Sequence, residues 1–106
     1  MSEIVLYVGS TEYLYASITA FEVDGVVADP TDYAAEVAIV ALGTEVIETD
    51  WASAEWVKVG TTDRVRILAG DAAELVAGHY AVYVRLTGSI EVIIRQAGRL
   101  TVRAAD

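Results

Sequence analysis

His79 is the only histidine in the 106 residues and cysteine is absent, so triad-type chemistry has a single possible base. The serines Ser2, Ser10, Ser17, Ser53 and Ser89 sit in no nucleophile-elbow pattern. His79 stands just ahead of a strand pattern, where an exposed polar loop residue is the plainer reading than a catalyst. A zinc site would have to take carboxylates as its other ligands. Asp24, Asp29 and Asp32 gather around two turns and offer three hard oxygens to a cation such as calcium. Their spacing fits no EF-hand loop, and aspartate is a common turn residue, so they read as solvated turn residues. None of the sixteen acidic residues is singled out as a pair for glycoside hydrolysis. The eight glycines are spread one to a turn, with no phosphate-cradling loop. The expectation is a chain with no catalytic residues, no metal and no cofactor.

The aromatic residues are the other candidates. Tyr13, Tyr15, Trp51 and Trp56 would make an interaction surface or a sugar platform if exposed, and ordinary core if not. Arg85 and Glu91 flank Thr87-Gly88-Ser89 and would pair across a hairpin. An exposed pair of that kind contributes only ~0.2–1 kcal/mol.

These residues have to be positioned by a small fold. The length suits a single domain over residues 1–106, with one hydrophobic core. Over half the residues are apolar, which argues against disorder, and the lack of cysteine excludes a disulfide framework. Residues 1–57 hold eleven carboxylates and no Lys or Arg, while residues 58–106 hold five against all seven basic residues. The two parts therefore stand at −11 and +2 of the net −9. Such a surface repels a phosphate backbone, so no nucleic-acid partner is expected. Once folded, the asymmetry would give acidic and basic poles suited to recognising a neighbour, or would only keep the protein soluble. Met1-Ser2-Glu3 opens no signal peptide, and no apolar run is long enough for a membrane helix. A soluble, cytoplasmically made protein with no membrane partner is expected.

Short strands account for most of the chain. Residues 3–8 (EIVLYV) and 12–23 (EYLYASITAFEV) read as strands, and Asp24-Gly25 is a hairpin signal. Asp29-Pro30-Thr31-Asp32 is a turn. Residues 33–42 (YAAEVAIVAL) do not alternate cleanly and read as a strand, with a helix as the alternative. Residues 45–49 suggest a strand in a hairpin about Gly43-Thr44. Residues 51–59 (WASAEWVKV) place the two tryptophans on opposite faces of a regular strand, unless a loop or bulge turns both inward. Residues 64–68 alternate, and 71–76 would form one helical turn capped by Asp71. Residues 80–86 alternate most cleanly, with one wet face, and a last strand to Arg103 breaks at Gln96-Ala97-Gly98. About seven to nine short strands, with turns roughly every ten residues, point to an all-β sandwich of two antiparallel sheets.

The segment "LVAGHYAVYVRL" resembles the F strand of fibronectin type III and immunoglobulin-like domains, through Leu75, Gly78, Tyr80, Val82 and Val84. In those families the tyrosine hydroxyl bonds back to upstream backbone as a tyrosine corner. The resemblance implies an immunoglobulin/fibronectin III-like antiparallel β-sandwich, with Leu75, Gly78 and Tyr80 forming the corner. Most of the chain resembles small bacteriophage virion proteins related to the N-terminal sandwich of baseplate and tail-fibre subunits. The features that carry this are the extended start, the "DG…DPTDY" turns, "WASAEWVKV", "LVAGHYAVYVRL" and "EVIIRQAGRLTVR". It implies a non-enzymatic structural protein of the virion, a capsid decoration or head or tail accessory. Its partners would be a major capsid protein or tail proteins, and it would form a homo-oligomer in the assembly. Residues 3–8 or 99–103 would serve as exposed edge strands adding to a neighbour's sheet. The alternative is a carbohydrate or cell-surface binding module using Tyr13, Tyr15, Trp51 and Trp56.

Overall fold

The computed structural model describes residues 2–7, 12–17, 21–23, 26–28, 30–60, 62–68, 75–88 and 92–104. Their strands are β1 (Ser2–Tyr7), β2 (Tyr13–Ser17), β3 (Phe21–Val23), β4 (Val26–Ala28), β5 (Ala34–Ala41), β6 (Ala52–Ser53), β7 (Glu55–Val59), β8 (Thr62–Leu68), β9 (Gly78–Thr87) and β10 (Val92–Arg103). Two 3-10 turns, Pro30–Asp32 and Glu48–Asp50, are the helical pieces among these residues. The strand count exceeds the expected one because two expected strands are each split. Residues 12–23 become β2 and β3, and residues 51–59 become β6 and β7.

The strands form a five-stranded sheet in the order β1-β10-β9-β5-β6, a three-stranded sheet β2-β8-β7 and the hairpin β3-β4. All neighbours are antiparallel except β1, which runs parallel to β10. Leu14, Val65 and Ile67 of the smaller sheet share one core cluster with Val37, Ile39, Tyr80, Val82, Val84, Leu86 and Leu100 of the larger. The two sheets therefore face each other, as a chain of half-buried strands requires.

Residues 34–41 form a strand, and burial explains their poor alternation. Ala35, Val37 and Ile39 enter the shared core, while Ala38 and Val40 on the opposite face are also buried. A strand covered on both faces is apolar throughout and loses its period of two. The same holds for β9, whose expected wet face includes buried Ala81 and half-buried Tyr83 and Arg85. His79 lies within β9, not in a loop before it, and its exposed ring hydrogen-bonds through Nδ1 with Thr101 Oγ1 at 3.1 Å.

Three local expectations change. Residues 45–47 form no strand; an Ala41–Thr44 turn and the Glu48–Asp50 turn carry the chain instead. The Asp50 carboxylate takes the Ile47 N–H at 2.9 Å, a local bond that competes with strand pairing. The chain changes sheets at Ala54, between β6 and β7, and there Ala54 N–H bonds to Ala35 O at 3.0 Å. The break expected at residues 96–98 is a bulge inside one strand, since Gln96 pairs with Tyr83 and Gly98 with Val82. The extra residue, Ala97, switches the inward set from Ile93 before it to Leu100 and Val102 after it. Of the Asp24-Gly25 hairpin, the flanking strands are paired with Val23 opposite Val26. The turn residues themselves, Asp29 and residues 71–74 of the expected helical turn lie outside the described residues.

Tyr80 opens the inward row of β9 and donates its hydroxyl proton to Val76 O at 2.6 Å. Leu75 packs against the core beside it. Gly78 holds φ at 156°, a value that L side chains rarely adopt. The bond closes the chain on itself over four residues and fixes how it enters the central strand. Tyr80→Phe keeps the ring and removes the bond, so it should lower unfolding free energy by about 0.5–1.5 kcal/mol. Urea denaturation of the two proteins measures this; coincident midpoints would mean the corner contributes nothing.

Candidate functional site

The aromatic residues singled out by type do not meet in one place. Trp56 lies on β7, packs against the core, and donates its indole N–H to Tyr33 O at 2.8 Å. The Tyr33 ring in turn lies on Gly88, where an added Cβ would stand 2.5 Å from a ring carbon. Trp56 is thus a structural residue. Trp51 precedes β6 and lies under the Arg85 guanidinium, 4.6 Å from carbon to ring centroid. Tyr13 and Tyr15 alone share a surface. They alternate with buried Leu14 on β2, so both project outward, with ring centroids 6.4 Å apart. Arg66 of β8 stacks 4.4 Å over the Tyr13 ring and pairs with Glu55 of β7. Glu55 and then Tyr15 hold the Arg66 guanidinium further toward its charged form.

Arg85 is the most heavily engaged polar side chain. It stands opposite Glu36 in the β5–β9 register. Its Nε and Nη2 donate to Glu36 Oε1 and Oε2 at 2.9 and 3.0 Å. Its Nη1 and Nη2 donate to Glu48 Oε1 and Oε2 at 2.9 and 2.8 Å. One guanidinium therefore makes two forked pairs and covers an indole, a use of arginine that lysine cannot copy. Its side chain is 15% exposed, whereas that of Glu48 is 79% exposed. Sequence order suggested Glu91 as the partner; Glu91 lies outside the described residues, and the carboxylates found come from positions 49 and 37 residues away. No local signal marks Glu48, because it reaches Arg85 only after the 42–51 segment folds back over the sheet.

This cluster holds the fold together and is poorly suited to acid catalysis. Hydrogen bonding to Arg85 holds the Glu48 carboxyl below its ordinary range. A glycosidase general acid needs the opposite shift. Among the described residues no three of His, Cys, Asp and Glu gather where a metal could sit. Of the three turn aspartates only Asp32 is described, and it is exposed. No helix among the described residues is long and apolar enough to cross a membrane.

The surface outside these clusters is less balanced. Lys58 pairs with Asp63, Arg66 with Glu55, and Arg85 with Glu36 and Glu48. Arg95, Arg99 and Arg103 on β10 are exposed and have no carboxylate partner among the described residues. Strand β1 runs beside β10 only from Gly98 to Arg103. The expected free edge at 99–103 is therefore an interior stretch between β1 and β9. The outermost strand is β1, in line with the expectation of an edge at 3–8, and among the described residues the other half of β10, residues 92–97, has no strand on that side. That half carries Val92 and Ile94, 55% and 52% exposed.

Arg85→Met should cost about 1.5–3 kcal/mol in urea denaturation, since Glu36 is left half-buried without its charged partner. Arg85→Lys should recover only part of the loss. Because the folded-state pKa of Glu48 lies below its ordinary 4.5, its contribution is complete above that value and lost as pH falls through the lower one. Between about pH 5 and pH 3, wild-type stability should therefore fall more steeply than that of Glu48→Gln. Parallel slopes would contradict the pairing.

Compared with models of protein families, with curated proteins and with solved structures, the chain matches none.

Proposed function

We propose that this chain is a non-enzymatic structural subunit of a bacteriophage virion, an immunoglobulin-like sandwich that packs on other virion proteins as a capsid decoration or a head or tail accessory. With the β3–β4 hairpin left out and β6 taken as C′, the smaller sheet (β2-β8-β7) runs B-E-D and the larger has G-F-C (β10-β9-β5) as neighbours, an order that immunoglobulin domains share. The Tyr80 hydroxyl on Val76 O stands where those domains have a tyrosine corner. The virion assignment draws on the resemblance of the ordered segments from the extended start to "EVIIRQAGRLTVR".

The observation that carries a packing role is the state of β10. Among the described residues most cations outside this strand are consumed in internal pairs, while β10 offers three arginines with no carboxylate partner and a partly apolar stretch at 92–97 with no strand on one side. A surface with both apolar area and unused charge suits docking on a protein neighbour.

A second reading rests on Tyr13 and Tyr15, whose outward rings flank Arg66 and Glu55. Two rings with hydrogen-bonding groups beside them would suit a sugar, which makes the domain a carbohydrate or cell-surface binding module of a tail or baseplate. Trp51 and Trp56 drop out of that platform because one is covered by Arg85 and the other packs on the core.

The genes flanking this one, and the pelleted particles of its source, test the virion reading. Neighbours encoding capsid or tail proteins, with this chain detected by mass spectrometry in purified particles at a fixed ratio, are expected. Neighbours of another kind and a chain absent from the particles would end it. Chemical-shift changes at Tyr13 and Tyr15 on adding cell-wall oligosaccharides would favour the second reading instead.

A further inference from the structure

The geometry points to head-to-tail self-association, in which the open β10 edge of one copy docks on the acidic segment 42–50 of the next. This deepens the assembly-subunit reading and rests on it. The two surfaces lie on opposite margins of the larger sheet. At one margin, residues 92–97 of β10 have strand β9 on one side and no described strand on the other. Val92 and Ile94 lie on the outer row of this strand; exposed Arg95 lies on its inner row opposite Val84, and exposed Arg99 follows on the outer row where β1 pairs.

At the other margin β5 is covered by β6 only at Glu36 and Val37. The segment between β5 and β6 carries Leu42 and Ile47, 48% and 60% exposed. Around them stand Glu45 and Asp50, with Glu48 nearby forked to Arg85, and the segment itself holds no Lys or Arg. One margin is thus apolar and basic, and the other apolar and acidic. They complement each other in sign and in apolar character, and neither complements itself.

Occupancy by a second copy follows from that complementarity. A protein at −9 repels its copies in most orientations, and the orientation that brings arginines onto the acidic segment is the attractive one. A contact between different patches is heterologous, so repeated copies form a ring or an open filament. The edge itself supplies backbone N–H and C=O groups for an added strand or loop.

Two variants test this. Ile94→Asp with Arg95→Glu disables the basic margin and leaves the acidic one intact. Glu45→Lys with Ile47→Lys does the reverse. Sedimentation velocity should show the wild-type chain associating with concentration at roughly 0.05 M salt, and at least about tenfold more weakly at roughly 0.5 M. Each variant alone should be monomeric. Their mixture should form a one-to-one dimer and stop there, because only one productive interface remains, and that dimer also proves both variants folded.

A wild type that stays monomeric at about 1 mM, or association that survives in either variant, overturns the inference. A monomeric chain still found at fixed ratio in particles would remove self-association and keep the virion reading. Self-association by a chain absent from particles would do the opposite.

Discussion

The pairing of β5 with β9 is the constraint on which the rest depends. The two strands run together from Ala34 opposite Thr87 to Ala41 opposite Tyr80. One face of the pair supplies half of the intersheet core, through Val37, Ile39, Val82 and Val84. The other face is also closed, because Ala38, Val40 and Ala81 are buried there and Arg85 is clamped between carboxylates. A pair buried on both faces can slip register only by burying a charge or exposing a core row. That fixes Arg85 opposite Glu36, so the salt bridge is a consequence of register as well as its lock. Glu48 then brings the 42–51 segment down onto the same guanidinium, and this places β6 beside β5 and sets up the crossing to β7. Tyr80 holds the other end of β9, where its hydroxyl on Val76 O fixes the entry of the chain.

Much of this architecture was legible, and the reasons for what was not are physical. The all-β class could be read from the short strands and turns, and the bond of Tyr80 back to upstream backbone from residues that act within a few positions of each other. The strand at Ala34–Ala41 was readable but blurred, since burial on both faces erased the alternation. The Trp51–Val59 stretch was readable as extended but not as two strands in two sheets. Nothing local announces that Ala54 will bond to Ala35, nineteen residues upstream by number and in another element. The aromatic platform failed for a similar reason. Trp51 and Trp56 are near in sequence, yet the crossing sends one to the outer face of the larger sheet and the other to the core. The Arg85 partners were beyond reach, because Glu36 and Glu48 depend on register and on a loop folding back.

Charge shows how a strongly acidic chain keeps a structured surface. Arg85 serves two carboxylates at once, and Arg66 serves Glu55 while stacking on Tyr13. Each is also held in place by an aromatic ring, which lowers the conformational entropy lost per ion pair. Outside these pairs stand the arginines of β10 and, in the 42–50 segment, Glu45 and Asp50. The sequence-level split of −11 and +2 does not become two spatial halves, since Arg66 and Arg85 belong to the second part and pair with Glu55, Glu36 and Glu48 of the first.

An open edge carrying Val92 and Ile94 is a hazard as well as an opportunity. Any exposed β-branched edge invites indiscriminate strand addition, and proteins commonly blunt such edges with charge. Arg95 and Gln96 interrupt this one, and β1 shuts it from Gly98 onward. In a neutral protein those devices would lower affinity for every partner alike. Here they discriminate, because the bulk of the surface is acidic while the edge is basic. At the strand itself the arginines would disfavour a partner presenting positive charge and favour an acidic one. Such an edge would stay apolar enough to bind without binding everything, and its selectivity would come from the local arginines acting against the −9 of the whole chain.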